Sequence, residues 1–212
     1  EKLAEKEEGK LVHKAAPVGS YGGIMNPDIS VIANIQSNFT DDKTDDNRGK
    51  LRVAEVEVGF QGYLYPGIRG DVFVAFEQEY VGDSSTTEAD LEEAYISFLD
   101  LPLGFQAELG RRLIHFGKLN LIHEHHWPFV DKPRMLENFF GEGPWFDDGI
   151  LISALIPNPW DLYLKTNFAQ YNGKDPTGSN LINWDGHVYF SRTSANIPFG
   201  DNVDLSLGYS LA

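Results

Sequence analysis

From Ile29 onward the apolar positions recur every second residue, the period of a strand with two unlike faces. Ile29, Val31, Ala33, Ile35 and Phe39 share one side, with Ser30, Asn34, Gln36 and Asn38 on the other. After a polar stretch at 40–50, Ala54, Val56, Val58 and Phe60 oppose Glu55, Glu57 and Gln61. A tight turn at Tyr65-Pro66-Gly67 leads to Val72, Val74 and Phe76 against Arg69, Asp71, Glu77 and Glu79, with Phe73 interrupting the polar side. The composition GDSSTTEAD predicts a loop at 82–90, followed by a strand through Tyr95 and Phe98. Phe105, Ala107 and Leu109 then oppose Gln106, Glu108 and Arg112. Beyond a long irregular stretch, a strand at 150–156 and alternating runs around Leu164, Phe190 and Leu205 bring the predicted count to nine.

The connections are ordered. Short Pro-containing turns near 66, 102, 158 and 198 alternate with longer polar ones at 40–50, 82–90, 114–148 and 172–182. All short turns then lie at one end of the sheet and all long loops at the other, the arrangement of outer-membrane barrels. Aromatic residues gather near both ends: Tyr63, Tyr65, Phe105, Trp160 and Phe199 at one, Tyr80, Tyr171 and Trp184 at the other. The expected fold is an all-β, antiparallel, up-and-down transmembrane β-barrel. A soluble sandwich or ligand-binding barrel shares the alternation and stays open as an alternative. Nine strands cannot close a barrel whose two ends start on the same side, so the chain is expected to be part of a larger one. Residues 1–23 read as a polar N-terminal segment, helical or disordered, and 24–212 as the wall.

The stretch at 110–149 is too long for a turn and too rich in Pro, Gly and charge for one regular element. It reads as a loop, 114–148, folded into the barrel. His123, Glu124, His125 and His126 form its sharpest cluster, and imidazole with carboxylate suits zinc and similar ions. Asp131, Glu137, Asp147 or Asp148 could add a further ligand by folding. The same run also reads as a hydrogen-bonded or solvated loop. It is not a zinc-protease motif, because Trp127 stands where the second histidine is required. Trp127, Phe129, Phe139, Phe140, Trp145 and Phe146 are expected to pack the loop on the wall.

A formal net charge of -15 argues against a nucleic-acid partner. Without cysteine there is no disulfide and no thiolate metal site. The mean hydropathy of -0.31 does not exclude a membrane barrel, in which every second residue faces water. No nucleophile–base pairing, phosphate loop or dinucleotide fingerprint appears, so no enzyme activity and no required cofactor are expected.

The run at 110–143, with LEEAYISFLDLPLGFQAELG before it and ALIPNPWDLYL after, resembles bacterial outer-membrane proteins of the zinc-regulated or porin-like kind. The segment Asn26-Pro27-Asp28-Ile29-Ser30 resembles the barrel start in these and in phosphate-selective porins. The resemblance implies secretion to the outer membrane, lipid around the wall, and a homotrimer. The expected activity is passive diffusion of small hydrophilic solutes or cations. Glu55, Glu57, Glu77, Glu79 and Glu108 are the expected lumen carboxylates, with Arg112 and Lys118 opposing them across a constriction. A phosphate-selective pore would want cations where these carboxylates stand. Surface capture of zinc by the histidine cluster is the alternative.

Overall fold

The computed structural model describes residues 27–81, 84–129, 132–141, 143–173, 186–200 and 203–212. The polar segment 1–23 lies outside these. Nine strands form one sheet: β1 (Asp28–Ser37), β2 (Leu51–Tyr65), β3 (Ile68–Val81), β4 (Ser84–Phe98), β5 (Phe105–Leu113), β6 (Phe146–Leu155), β7 (Tyr163–Tyr171), β8 (Val188–Phe199) and β9 (Val203–Leu211). Each strand pairs antiparallel with its chain neighbours, in the order β1 to β9, and among the described residues β1 and β9 are the sheet edges. A short helix, α1 (Arg134–Phe140), lies within the segment joining β5 to β6. Among the described residues no helix is long and apolar enough to cross a membrane.

Of the loop expected at 82–90, residues 84–90 are instead strand. Residues 84–90 pair with β3 from Val81↔Ser84 to Ala75↔Asp90. Turn-forming composition misled there, because four of those residues are Ser or Thr flanked by β-ladder partners on a long hairpin, and pairing outweighs local propensity. The connection expected at 40–50 lies between β1 and β2 and that at 114–148 joins β5 to β6, whereas 174–182 and Trp184 lie outside the described residues.

Sidedness is clear in the register. Val58 pairs with Val31 and Val74, and Leu109 with Ile96 and Ile150. This apolar side is exposed: Phe76 is 41 %, Ile150 47 % and Leu207 52 % exposed. The opposite side carries Glu57, Asp71, Glu93, Asp147, Ser153 and Asn167, all buried. A bulge alters the parity of β4: Phe73 pairs with Glu93 but Val74 with Leu91, so Glu92 is the extra residue. Both Glu92 and Glu93 are consequently buried on the inner side.

What buries this polar side is the segment between β5 and β6. Ile114 and Trp145 join Leu151, Ala169, Tyr171, Val188 and Phe190 in one cluster, with Phe116 and Phe140 packed on it. The Trp145 ring meets Phe190 edge-on at 5.5 Å and stacks on Phe140 at 5.3 Å. Tyr171, expected at an exposed strand end, is instead in this cluster at 1 % exposure. It occupies an inward register position, where the loop covers it.

Two glycines make the inner wall close-fitting. Gly110 pairs with Tyr95 and Gly149, and Gly149 with Tyr171, so a tyrosine flanks each end of the glycine pair. Gly110 has φ +131, and a Cβ on Gly149 would lie 2.1 Å from the Gln170 carbonyl oxygen. Gly149→Ala should therefore destabilise the folded wall by about 1–3 kcal/mol through overpacking against backbone. A denaturant titration of the folded protein measures this, and an unchanged midpoint would reject it.

Candidate functional site

The loop reaches the β2–β4 side of the wall through two tight 3-10 turns, Leu119–Leu121 and Glu124–His126. His126 N–H donates to the His123 carbonyl at 3.0 Å, closing the second turn. This turn aims His123 and His125, not His126, at the wall. His123 Nδ1 lies 2.9 Å from Glu57 Oε2 and 3.1 Å from Glu92 Oε2, and its Nε2 is 3.5 Å from Glu93 Oε2. His125 Nδ1 lies 3.3 Å from Glu55 Oε1 and 3.8 Å from Glu57 Oε2. Phe73, the residue that interrupts the polar side of β3, packs its ring 5.5 Å from His123.

Glu55, Glu57, Glu92 and Glu93 are all buried. Carboxylates removed from water demand a counter-charge or hydrogen bonds. Glu93 accepts from Leu113 N–H at 2.8 Å. For the rest the two imidazoles are the partners. Burial disfavours the charged His123 ring, yet the surrounding Glu57, Glu92 and Glu93 carboxylates outweigh that and push its pKa up to about 12.

The other sequence-predicted residues are more scattered. Glu77 faces the same side as Glu55 and is exposed on a cavity of about 730 Å³ between wall and loop. Glu79 lies on β3, with its side chain outside the described residues, as is that of Glu124. Arg112 does not oppose the β2–β4 carboxylates with Lys118. It ion-pairs with Glu108 of its own strand and lies over the Tyr95 ring, 4.9 Å from its centroid. Gly110, between them on the same face, has no side chain to keep Glu108 and Arg112 apart. Lys118 is exposed at the start of the first 3-10 turn, and His126 is exposed with its ring 4.3 Å from His125. Asp147, weighed as a metal ligand, is buried and accepts from Asp148 N–H and Gly173 N–H instead. Asp131 lies outside the described residues.

Glu92, Glu93 and Asn120 escaped the sequence reading. The adjacent glutamates in LEEAY were the available signal, since a period-two strand cannot place both on one face without a bulge. Asn120 staples the two ends of the loop: its side chain donates to the Ile114 carbonyl at 2.8 Å and the Trp145 carbonyl at 3.1 Å, and accepts from Trp145 N–H at 2.8 Å.

No family model matches the chain, and no solved structure gives a significant match. A protein of Aquifex aeolicus (strain VF5), described as uncharacterized, is 38% identical over 119 residues, which is 56% of this chain. The match spans 24% of that relative's length.

Two outcomes are expected at the loop. Asn120→Ala strips three hydrogen bonds from backbone groups, each costing about 1 kcal/mol or more, so limited proteolysis should cut 114–145 faster than in the parent. Equal cleavage rates would reject the staple. His115 is held well below its ordinary value by burial first and then by Arg112, Lys165 and Arg192. Its ring stays neutral when folded, while the unfolded chain takes up a proton below about pH 6.5. The stability it contributes is therefore present above that pH and lost as pH falls through it. His115→Gln should flatten the acid side of the stability–pH profile, and a profile identical to the parent's would reject this assignment.

Proposed function

We propose that the chain is part of the wall of a bacterial outer-membrane β-barrel, surrounded by lipid and built for passive diffusion of small hydrophilic solutes or cations. The observation that carries this reading is the sidedness of the sheet. Apolar residues of all nine strands look outward and stay exposed, while the carboxylates look inward beneath the loop. Leaving a large apolar side chain in water forgoes about 1.5–3 kcal/mol. A continuous exposed face of them is a surface that lipid or a partner covers. A soluble ligand-binding barrel would turn that face inward and its charges out, so the sidedness favours the membrane reading over it. Unpaired strand edges are untenable in hydrocarbon, so this reading requires a partner at the β1 and β9 edges. Further strands of a larger barrel would pair them. A homotrimer belongs to the same reading.

Charge on the inner wall is divided. Glu55, Glu57, Glu92 and Glu93 gather on β2 and β4, while Lys165 and Arg192 stand on β7 and β8 and Arg112 on β5 is taken up by Glu108. Such a transverse field selects solutes by charge without any covalent step. Five carboxylates, Glu55, Glu77 and Glu92 among them, line the 730 Å³ cavity against Arg52, Lys132 and Arg134, so the water-accessible side is acidic on balance and leans toward cations. The test is reconstitution of the complete protein in a planar bilayer under a KCl gradient. The reversal potential should report preference for K⁺ over Cl⁻, reduced in Glu77→Gln. Anion preference, or no conductance, would reject the reading.

A further inference from the structure

We infer that Glu55, Glu57 and Glu92 of the wall, with His123 and His125 of the loop, form a binding site for one divalent transition-metal ion that ties the loop to β2 and β4. The inference goes beyond the channel reading and does not rest on it, since the site exists wherever wall and loop meet.

Three observations carry it. The first is spacing. Two overlapping trios, Glu55–Glu57–His125 and Glu57–Glu92–His123, each offer one ligand atom within 4.8 Å of the others. Glu57 Oε2 is common to both, 2.9 Å from one imidazole nitrogen and 3.8 Å from the other. Ligands held tetrahedrally around zinc lie roughly 3.3 Å apart, given metal–ligand bonds near 2.0–2.1 Å. The measured separations of 2.9, 3.1, 3.3 and 3.8 Å bracket that edge.

The second is unmet demand. Glu57 is 3 % exposed, and its Oε2, although 2.9 Å from His123 Nδ1, lacks hydrogen-bond geometry there; the buried His125 Nε2 makes no hydrogen bond at all. His123 Nδ1 can carry one proton, yet both Glu57 Oε2 and Glu92 Oε2 face it. One N–H cannot satisfy two buried carboxylates, whereas a dication can. Glu55, Glu57, Glu92 and Glu93 together outweigh even two protonated rings, and no Lys or Arg pairs with them among the described contacts. Removing that imbalance by binding a cation is the ordinary resolution for buried like charges.

The third is access and support. The polar cavity of about 730 Å³ has Glu55 and Glu92 on its wall, which gives an ion a path from solvent. Phe73 and Phe146 flank the His123 ring at 5.5 and 5.9 Å and fix its orientation. Mixed imidazole and carboxylate donors select zinc, cobalt or nickel over calcium and magnesium, which take all-oxygen shells.

The complete protein in detergent, stripped with chelator, is titrated with ZnCl₂ by calorimetry. The expected result is saturable binding of one ion per chain, undisturbed by excess Mg²⁺. In the pair His123→Ala with His125→Ala, affinity should fall by on the order of 100-fold or more, and Glu57→Gln should weaken it while keeping the fold. His126→Ala, which alters the exposed neighbour, should bind as the parent does. Zinc should also slow proteolysis of 114–145 in the parent and not in Glu57→Gln. Absence of saturable binding in the parent, affinity equal to the parent's in Glu57→Gln, or loss confined to His126→Ala would each overturn the site. A parent that conducts but binds no zinc would remove the site and leave the channel reading intact.

Discussion

The two faces of this sheet demand opposite surroundings, and the rest of the structure follows from that. A strand gives each residue one of two sides, and here one side is Val, Ile, Leu and Phe while the other holds buried carboxylates. Neither side can be left bare. A one-residue slip in register would exchange them and place Glu57 and Asp71 among the apolar residues of neighbouring strands, which is why long, well-paired strands such as β2 and β3 are needed. The loop is the inner side's answer: it is the only described segment that leaves the sheet and returns across its polar face.

The loop grips that face at two places by different physics. Over β6–β8 the contact is dry: Ile114, Phe116, Phe140 and Trp145 bury aromatic and aliphatic surface against Leu151, Tyr171 and Phe190. Over β2–β4 it is charged: His123 and His125 meet Glu55, Glu57, Glu92 and Glu93. Asn120 ties the loop's two roots together beside the dry contact. Removing the tie frees both arms, whereas removing either contact frees one.

Much of the wall was legible because period two is a direct consequence of strand geometry, and the alternation around Val58, Val74 and Leu109 required no tertiary knowledge. What could not be read were features decided by partners. Residues 84–90 look like a turn until β3 supplies their ladder. Arg112 looks free to face distant carboxylates until Gly110 lets Glu108 reach it. Tyr171 has the composition of an interfacial aromatic, but its register position turns it under Trp145. The histidine run was visible, yet its partners were not: Glu55 lies 70 residues away from His125 in sequence, and only folding chooses it over Asp147. The bulge that turns both Glu92 and Glu93 inward was written in two adjacent glutamates, a signal that alternation arguments treat as noise.

The two contacts of the loop respond to different variables. Apolar burial at the dry end is insensitive to ions and to protonation, so Phe190 and Trp145 hold that arm under any solution that keeps the sheet folded. The charged end borders a polar cavity, where water and ions reach Glu55 and Glu92. Its free energy depends on what neutralises four carboxylates, and each candidate — proton, imidazolium or metal ion — varies with the medium. Screening adds little within such short, buried separations, since a Debye length at physiological salt is about 8 Å. Solution conditions therefore act on the arm at 119–126 through occupancy of the carboxylate cluster, while the arm at 140–145 serves as its fixed anchor.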